Sequence, residues 1–99
     1  MAAMASPGTT IHTAVSNETD WDEIYLYANN TSSAAVTLTL EWGGTTNPDD
    51  TSPVILPANG GKILVVAGEI LQNSLTLAAF ASTANVVVVS GYVNRIAAA

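Results

Sequence analysis

Cysteine is absent from this 99-residue chain, and basic side chains number only two. Without thiols, the sequence excludes disulfides, thiolate metal sites and cysteine nucleophiles. Lys62 and Arg95 cannot neutralise a phosphate backbone, and the net charge of −6 would repel one, so we expect no nucleic-acid partner. No apolar run approaches the roughly 20 residues of a membrane-spanning helix, so we also expect no membrane partner.

Charge of either sign is scarce, since only 10% of the residues are charged against a typical ~25%, while 48% are hydrophobic. This composition is too apolar for a disordered chain and too sparsely charged for a typical monomer surface. The first fifty residues hold seven acidic side chains and no Lys or Arg. That asymmetry indicates either a solvated acidic loop face or a patch that orients a basic partner.

Apolar residues recur with a period of two, which predicts strands. No segment has the pattern of an amphipathic helix longer than one turn. We therefore predict an all-β single domain, an antiparallel β-sandwich or jelly-roll-like barrel of about seven short strands. The predicted strands are 10–15, 22–29, 34–42, 53–57, 62–67, 74–81 and 86–96.

The connections carry their own signals. The linker 29–33 is turn-rich and of hairpin length. The prolines that bracket 53–57 predict an edge strand or a crossover, because proline cannot donate to a ladder. Gly68-Glu69 predicts a break, followed by one helical turn or an irregular bridge over 70–73.

The domain prediction has three parts: a flexible N-terminal arm at 1–9 that orders on a partner, a sandwich at 10–96 and a C-terminal tail at 97–99. The segment 43–52 has no apolar side chain except proline. It predicts a projecting loop that exposes Asp49 and Asp50.

Two late strands are apolar on both faces, at 63–66 and 86–89. In so small a domain they need a second cover, either a loop of the same chain or a neighbouring subunit. Tyr25 and Tyr27 share the strand face opposite Ile24, and tyrosine is favoured at interfaces. The predicted subunit contacts are Tyr25, Tyr27, Ile63, Val65, Val87 and Val89.

No catalytic, cofactor or metal residues are predicted, and we expect the protein not to be an enzyme. His12 is the only histidine, too few for a His-based zinc site, and no G-x-S-x-G elbow accompanies a Ser-His-Asp set. Two readings stay open beside this. The acids of 20–23 with those of 49–50 could bind calcium or be a solvated turn, and the Trp and Tyr residues could form a sugar platform or pack in the core and interfaces.

The stretch 22–96, about three-quarters of the chain, resembles small β-sandwich virion proteins of tailed bacteriophages, of the capsid decoration or cement type. The residues that carry the likeness are 23–31 (EIYLYANNT), 35–44 (AVTLTLEWGG), 55–61 (ILPANGG) and 86–96 (VVVVSGYVNRI).

The resemblance implies a structural protein on the capsid exterior of the virion. It implies a homo-oligomer, with a homotrimer expected, that binds the major capsid protein and stabilises the head by bridging capsomers. No catalytic residue carries over. The alternatives are a head–tail connector or tail structural protein, and a carbohydrate-binding β-sandwich module.

Overall fold

The computed structural model describes residues 1–16, 20–45 and 49–96, and the predicted tail 97–99 lies outside them. The described chain forms seven strands and no helix, in two antiparallel sheets, which confirms the predicted all-β sandwich. The strands are β1 (Thr9–Thr13), β2 (Trp21–Asn30), β3 (Val36–Trp42), β4 (Thr51–Leu56), β5 (Ile63–Leu71), β6 (Thr76–Ala81) and β7 (Val87–Ile96).

Sheet A has the strand order β1-β6-β3-β4, and sheet B has the order β5-β2-β7. Among the described strands, only β3 and β4 are consecutive neighbours in one sheet, so the other connections cross between sheets. The prediction of a hairpin at linker 29–33 is therefore wrong. Strand β2 is paired on both sides, by β5 and β7, and so has no free edge left for β3.

The core lies between the two sheets and follows from the strict alternation of β2 and β3. Ile24, Leu26 and Ala28 point inward from β2 and are at most 4% exposed. Alternate residues of β3 meet them from the other sheet, and each fully buried Leu, Ile or Val contributes about 1.5–3 kcal/mol. The inward β3 residues are Val36, Leu38 and Leu40.

Strand β5 does not end at Gly68, as the sequence predicts, but continues to Leu71. Gly68 adopts a φ of +77°, which glycine tolerates, and the register with β2 shifts between Ile24 and Tyr25. The expected break is thus a β-bulge within a longer strand. The chain turns only afterwards, at Asn73 and Ser74, which both have positive φ.

Strand β4 lies at the edge of sheet A, as its prolines predict. The loop before it exposes Asp49, while Asp50 is half-buried. The Asp50 carbonyl accepts a hydrogen bond of 2.8 Å from the Trp42 N–H, so this end of the loop closes onto β3.

The N-terminal segment 1–8 packs on the sandwich of its own chain, which corrects the expectation of a free arm. The Met1 ammonium donates to the Val87 carbonyl at 2.9 Å, and the Ala81 N–H donates to the Ala3 carbonyl at 3.0 Å. A side chain at Gly8 would collide with the Ala79 backbone. Gly8 directly precedes β1, which starts at Thr9 and therefore within the predicted arm. Ordering of this segment on a partner stays a prediction.

Candidate association surface

The side of sheet B that faces away from the core is mostly apolar and aromatic, with Glu23, Asn29, Ser90 and Asn94 as its polar members, and we call it the outer face. Cross-strand pairing defines its members, because paired residues point to the same side of a sheet. Tyr27 pairs with Leu64 of β5, and Tyr25 pairs with Tyr92 of β7. The apolar and aromatic members are Trp21, Tyr25, Tyr27, Leu64, Ala67, Ile70, Val88, Tyr92 and Ile96.

Five of these members are between about one third and just over one half exposed: Leu64 45%, Ile70 48%, Val88 56%, Tyr92 54% and Ile96 36%. Together they leave roughly 500 Å² uncovered, if a full large side chain presents about 200 Å². The largest apolar patch on a typical monomer is roughly 300–600 Å², and a standard interface buries about 800 Å² per partner. The outer face therefore has the size and composition of an association surface.

An aromatic stack occupies its centre. The rings of Tyr25 and Tyr92 lie 4.8 Å apart between centroids and 16° from parallel. The Tyr25 hydroxyl donates to Glu23 Oε1 at 3.0 Å, and this bond to a carboxylate raises the pKa of Tyr25 above its usual range. The stack fixes a flat aromatic surface with one anchored hydroxyl.

The structure separates the six predicted contact residues into three groups. Tyr25 and Tyr27 lie on the outer face, where their contact with another subunit stays a prediction. Ile63, Val65 and Val89 are partly buried against the core. Val87 is 1% exposed and belongs to the core of its own chain, which corrects the interface prediction for that residue.

Sequence analysis missed Leu64, Val88 and Tyr92, the more exposed outward positions of the same strands. In an all-apolar run no polar residue marks which positions face water, so the one-residue register is undetermined. The polar residues Ser90 and Asn94 farther along β7 carry the signal that could have set it. They share the parity of Val88 and Tyr92.

A cleft of about 160 Å³ lies on the open side of the sandwich between β1 and β7, lined by residues that include Ile11, His12, Val89 and Gly91. A second cavity of about 460 Å³ shares Ile11 and Val89 with it. Both lie between β1 and β7, which are edge strands of opposite sheets.

Close to these cavities, an ionic cluster around the buried Asp22 joins the sheets. Asp22 is 0% exposed, and its Oδ1 accepts a bond of 2.7 Å from Arg95 Nε, while Oδ2 accepts one of 3.0 Å from Arg95 Nη2. His12 Nε2 of β1 lies 2.7 Å from Asp22 Oδ2, and the Val15 N–H also donates to this oxygen. Arg95 first, then His12 and Val15, hold the pKa of Asp22 well below its usual range, although burial opposes them.

Two further buried polar residues, Glu41 and Asn30, form hydrogen bonds that hold segments outside their own strands. Glu41 is 1% exposed and accepts bonds of 2.6 Å from both the Ser6 hydroxyl and the Gly8 N–H. The N-terminal segment thus covers a carboxylate that the strand pattern alone places on a wet face. Asn30, also 1% exposed, ties the β2–β3 connection to Leu56 of β4.

The contacts of Asp22 also bear on two alternatives raised by the sequence, a calcium site and a Ser-His-Asp triad. Asp22 is fully engaged by protein donors, and residues 1–16, 20–45 and 49–96 contain no group of three or more His, Asp or Glu side chains placed to hold a metal ion. In that same part of the chain, His12 has no serine partner. The His12–Asp22 contact therefore connects the two sheets.

The two tryptophans lie in different surroundings, which bears on whether the aromatic residues could form a sugar-binding platform. Trp42 packs against the core, as its strand face predicts. Trp21 is on the outer face, yet its Nε1 is buried and has no hydrogen-bond partner in the described part of the chain. Trp21 therefore shares the outer face with the Tyr25–Tyr92 stack, whereas Trp42 does not, so the two tryptophans do not form one platform with that stack. Across the described ranges, no helix is long and apolar enough to cross a membrane.

No family model, curated protein or solved structure matches this chain. The class that its own geometry defines is a seven-stranded antiparallel β-sandwich with one apolar outer face.

Proposed function

We propose that the chain is a structural virion protein that decorates the outside of a phage head, associates with further copies of itself and binds the major capsid protein. The observation that carries the proposal is the outer face, which a single copy leaves uncovered. Leu64, Val88 and Tyr92 are each about half exposed in the single copy. An assembly component covers such a surface by contact with other subunits.

The mechanism is stabilisation by bridging. A protein that binds assembled capsomers, and not the separated ones, stabilises the assembly by RT ln(1 + [L]/Kd) for each site. Covering about 500 Å² of apolar surface at ~25 cal/mol per Å² is worth roughly 12 kcal/mol before the costs of association, which are themselves about 4–15 kcal/mol. The outer face alone therefore supports association that is strong only when several copies act together.

Two measurements test this function. The first is sedimentation equilibrium at micromolar concentration, comparing the protein with Val88→Asp on the outer face and with Ile55→Asp. Ile55 is 74% exposed on β4 of the other sheet, so it is a matched control for a new surface charge. We expect Val88→Asp to weaken self-association by at least about tenfold, equivalent to 1.4 kcal/mol, and Ile55→Asp to leave it unchanged. A wild-type monomer at these concentrations would count against the proposal.

The second measurement uses heads purified from the virus that encodes the chain, with the protein added back. Saturable binding at hundreds of copies per head, with a raised head melting temperature, is the expected result. Saturation at six or twelve copies would indicate the connector or tail role instead. Absence of binding to heads, together with binding to a glycan, would overturn the proposal in favour of the carbohydrate-binding alternative.

A further inference from the structure

The sheet edges of this protein are protected unequally. A free edge is a template for pairing with another chain, and proteins normally blunt it with proline, bulges or short strands. The edges of the described sheets are β1 and β4 in sheet A and β5 and β7 in sheet B. β4 contains Pro53, β1 has five residues with a register shift after Thr10, and β5 has two register shifts and the positive-φ Gly68.

Strand β7 has none of these devices. It pairs with β2 over ten consecutive residues without a register shift, and it contains no proline. Its only charged side chain, Arg95, is bound to Asp22 of its own sheet. Of the four edges in the described chain, β7 is thus the long and regular one, and its single charged side chain is paired within its own sheet.

The backbone groups that β7 offers can be identified by alternation. The Val86 carbonyl accepts the Thr31 N–H at 2.9 Å, so even-numbered residues face β2. The Val87 carbonyl faces the other way and accepts the Met1 ammonium. Because N–H and C=O of one residue point to the same side, the groups that have no strand partner within the described residues belong to Val89, Gly91, Val93 and Arg95. The chain's own N-terminus thus already binds this edge at its first position.

We propose that a second copy of this chain pairs with β7 through the same edge, antiparallel and with Tyr92 opposite Tyr92 of the second copy on a two-fold axis. The proposal rests on the self-association in the proposed function and names its geometry. It extends sheet B to six strands and joins the two outer faces into one apolar surface that remains open to the shell. Because the contact is two-fold, it gives a dimer and not the trimer that the resemblance implies.

This register is selected by the side chains of β7. With Tyr92 on the axis, the outer-face pairs are aromatic with aromatic, Ser90 with Asn94, and Val88 with Ile96. The four free backbone positions then face one another, Val89 with Arg95 and Gly91 with Val93. Moving the axis to Gly91 would pair Val88 with Asn94, and moving it to Ser90 would require the position that Met1 occupies.

The first experiment is disulfide trapping in a chain that has no cysteine of its own. Ser90→Cys protein is mixed with Asn94→Cys protein under mild oxidation. These positions form a non-hydrogen-bonded pair with Cα atoms about 4.5 Å apart, within the 4.4–6.8 Å that disulfides span. Ser90 lies roughly 13 Å from Ser90 of the second copy, at about 3.3 Å per residue over four residues, so either protein alone should not crosslink.

The expected result is a covalent dimer in the mixture only. Ile55→Cys is the control for random collision, because Ile55 is more exposed and lies on the proline-containing edge. Crosslinking of Ser90→Cys alone, or of Ile55→Cys to the same extent as the mixture, would overturn the register.

The second experiment removes a donor that the single copy does not use. Val93→Pro is compared with Val93→Ala, which loses similar packing but keeps the N–H. The axis doubles the loss, so two hydrogen bonds disappear and the dimer dissociation constant should rise at least about tenfold over that of Val93→Ala. Circular dichroism and unfolding of both variants establish that they fold.

Sedimentation separates this inference from the proposed function. A mass of two chains that Val93→Pro halves, and that Leu64→Asp on distant β5 leaves intact, supports edge pairing. A trimer, or a dimer lost with Leu64→Asp but kept with Val93→Pro, overturns edge pairing and leaves self-association in place. A monomer overturns both.

Discussion

Asn30 offers a sharp test of how this sandwich is held together. Its side chain is 1% exposed and fills its hydrogen-bonding capacity. Nδ2 donates to the Ala34 carbonyl at 2.8 Å and to the Leu56 carbonyl at 3.1 Å. Oδ1 accepts the Ser32 N–H at 3.0 Å and the Ser32 hydroxyl at 2.7 Å. One residue therefore holds the β2–β3 crossover and connects it to β4.

The perturbation is Asn30→Asp, which keeps the shape and replaces the donor with an oxygen. The buried Leu56 carbonyl loses its donor, while the exposed Ala34 carbonyl keeps the Ser32 hydroxyl as a donor, and both face a carboxylate instead. An unsatisfied buried carbonyl costs about 1–3 kcal/mol and an unpaired buried charge costs more, so the expected loss in the free energy of unfolding is about 4 kcal/mol. At ~4–8 °C per kcal/mol for a domain of this size, the melting temperature should fall by roughly 16–32 °C.

The assay is urea unfolding at pH 7, followed by tryptophan fluorescence and circular dichroism at one fixed protein concentration, since association adds to apparent stability. Asn29→Asp is the matched control: it makes the same chemical change one residue earlier, on the outer face. Its expected effect is within about 0.5 kcal/mol. A loss below about 1 kcal/mol for Asn30→Asp, or equal losses for both variants, would refute the reasoning.

Two further perturbations address the other buried polar groups. Because its folded-state pKa is depressed, Asp22 stabilises the fold above its unfolded pKa of about 3.9, and that contribution is lost as pH falls from about 5 through 3.9 toward the lower folded value. Asp22→Asn should therefore flatten the pH dependence of urea midpoints between pH 2 and 5, and an unchanged slope would contradict this assignment. Deleting residues 1–8 uncovers Glu41 and removes the Met1 and Ala3 contacts, so unfolding should become easier by about 2–4 kcal/mol. A deletion variant as stable as the full chain in the same assay would show that the segment is dispensable for the fold.

The local sequence pattern was sufficient to predict the strands and one sheet edge, that at β4. Alternation in 22–29 placed Ile24 and Leu26 inside and Tyr25 outside, and the prolines around 53–57 identified an edge. Both inferences need only the period of two and the missing N–H of proline. They do not depend on which strand lies next to which.

Strand pairing and polar burial were not predictable in this way. The linker 29–33 has hairpin length, but β2 is filled on both sides by β5 and β7, which lie far along the sequence. Glu41 sits at an alternating polar position, and its burial depends on an N-terminal segment that contacts it from more than thirty residues away. The register of 63–66 and 86–89 is hidden because every residue there is apolar.

The Asp22–Arg95 ion pair and the unpaired edge of β7 both bear on self-association. Arg95 is the only charge on β7, and Asp22 holds it within its own sheet, so the edge carries no unpaired charge that would oppose a second strand. Gly91 lies where any side chain would collide with the Tyr25 carbonyl, which keeps β7 close to β2 and the ladder regular. Exchanging Asp22 for Asn would release Arg95 as a free cation at this edge. Asp22→Asn, the variant that reports on pH-dependent stability, should therefore also weaken self-association. A dimer of Asp22→Asn as tight as that of the wild type would show that the Asp22–Arg95 pair does not influence pairing at the β7 edge.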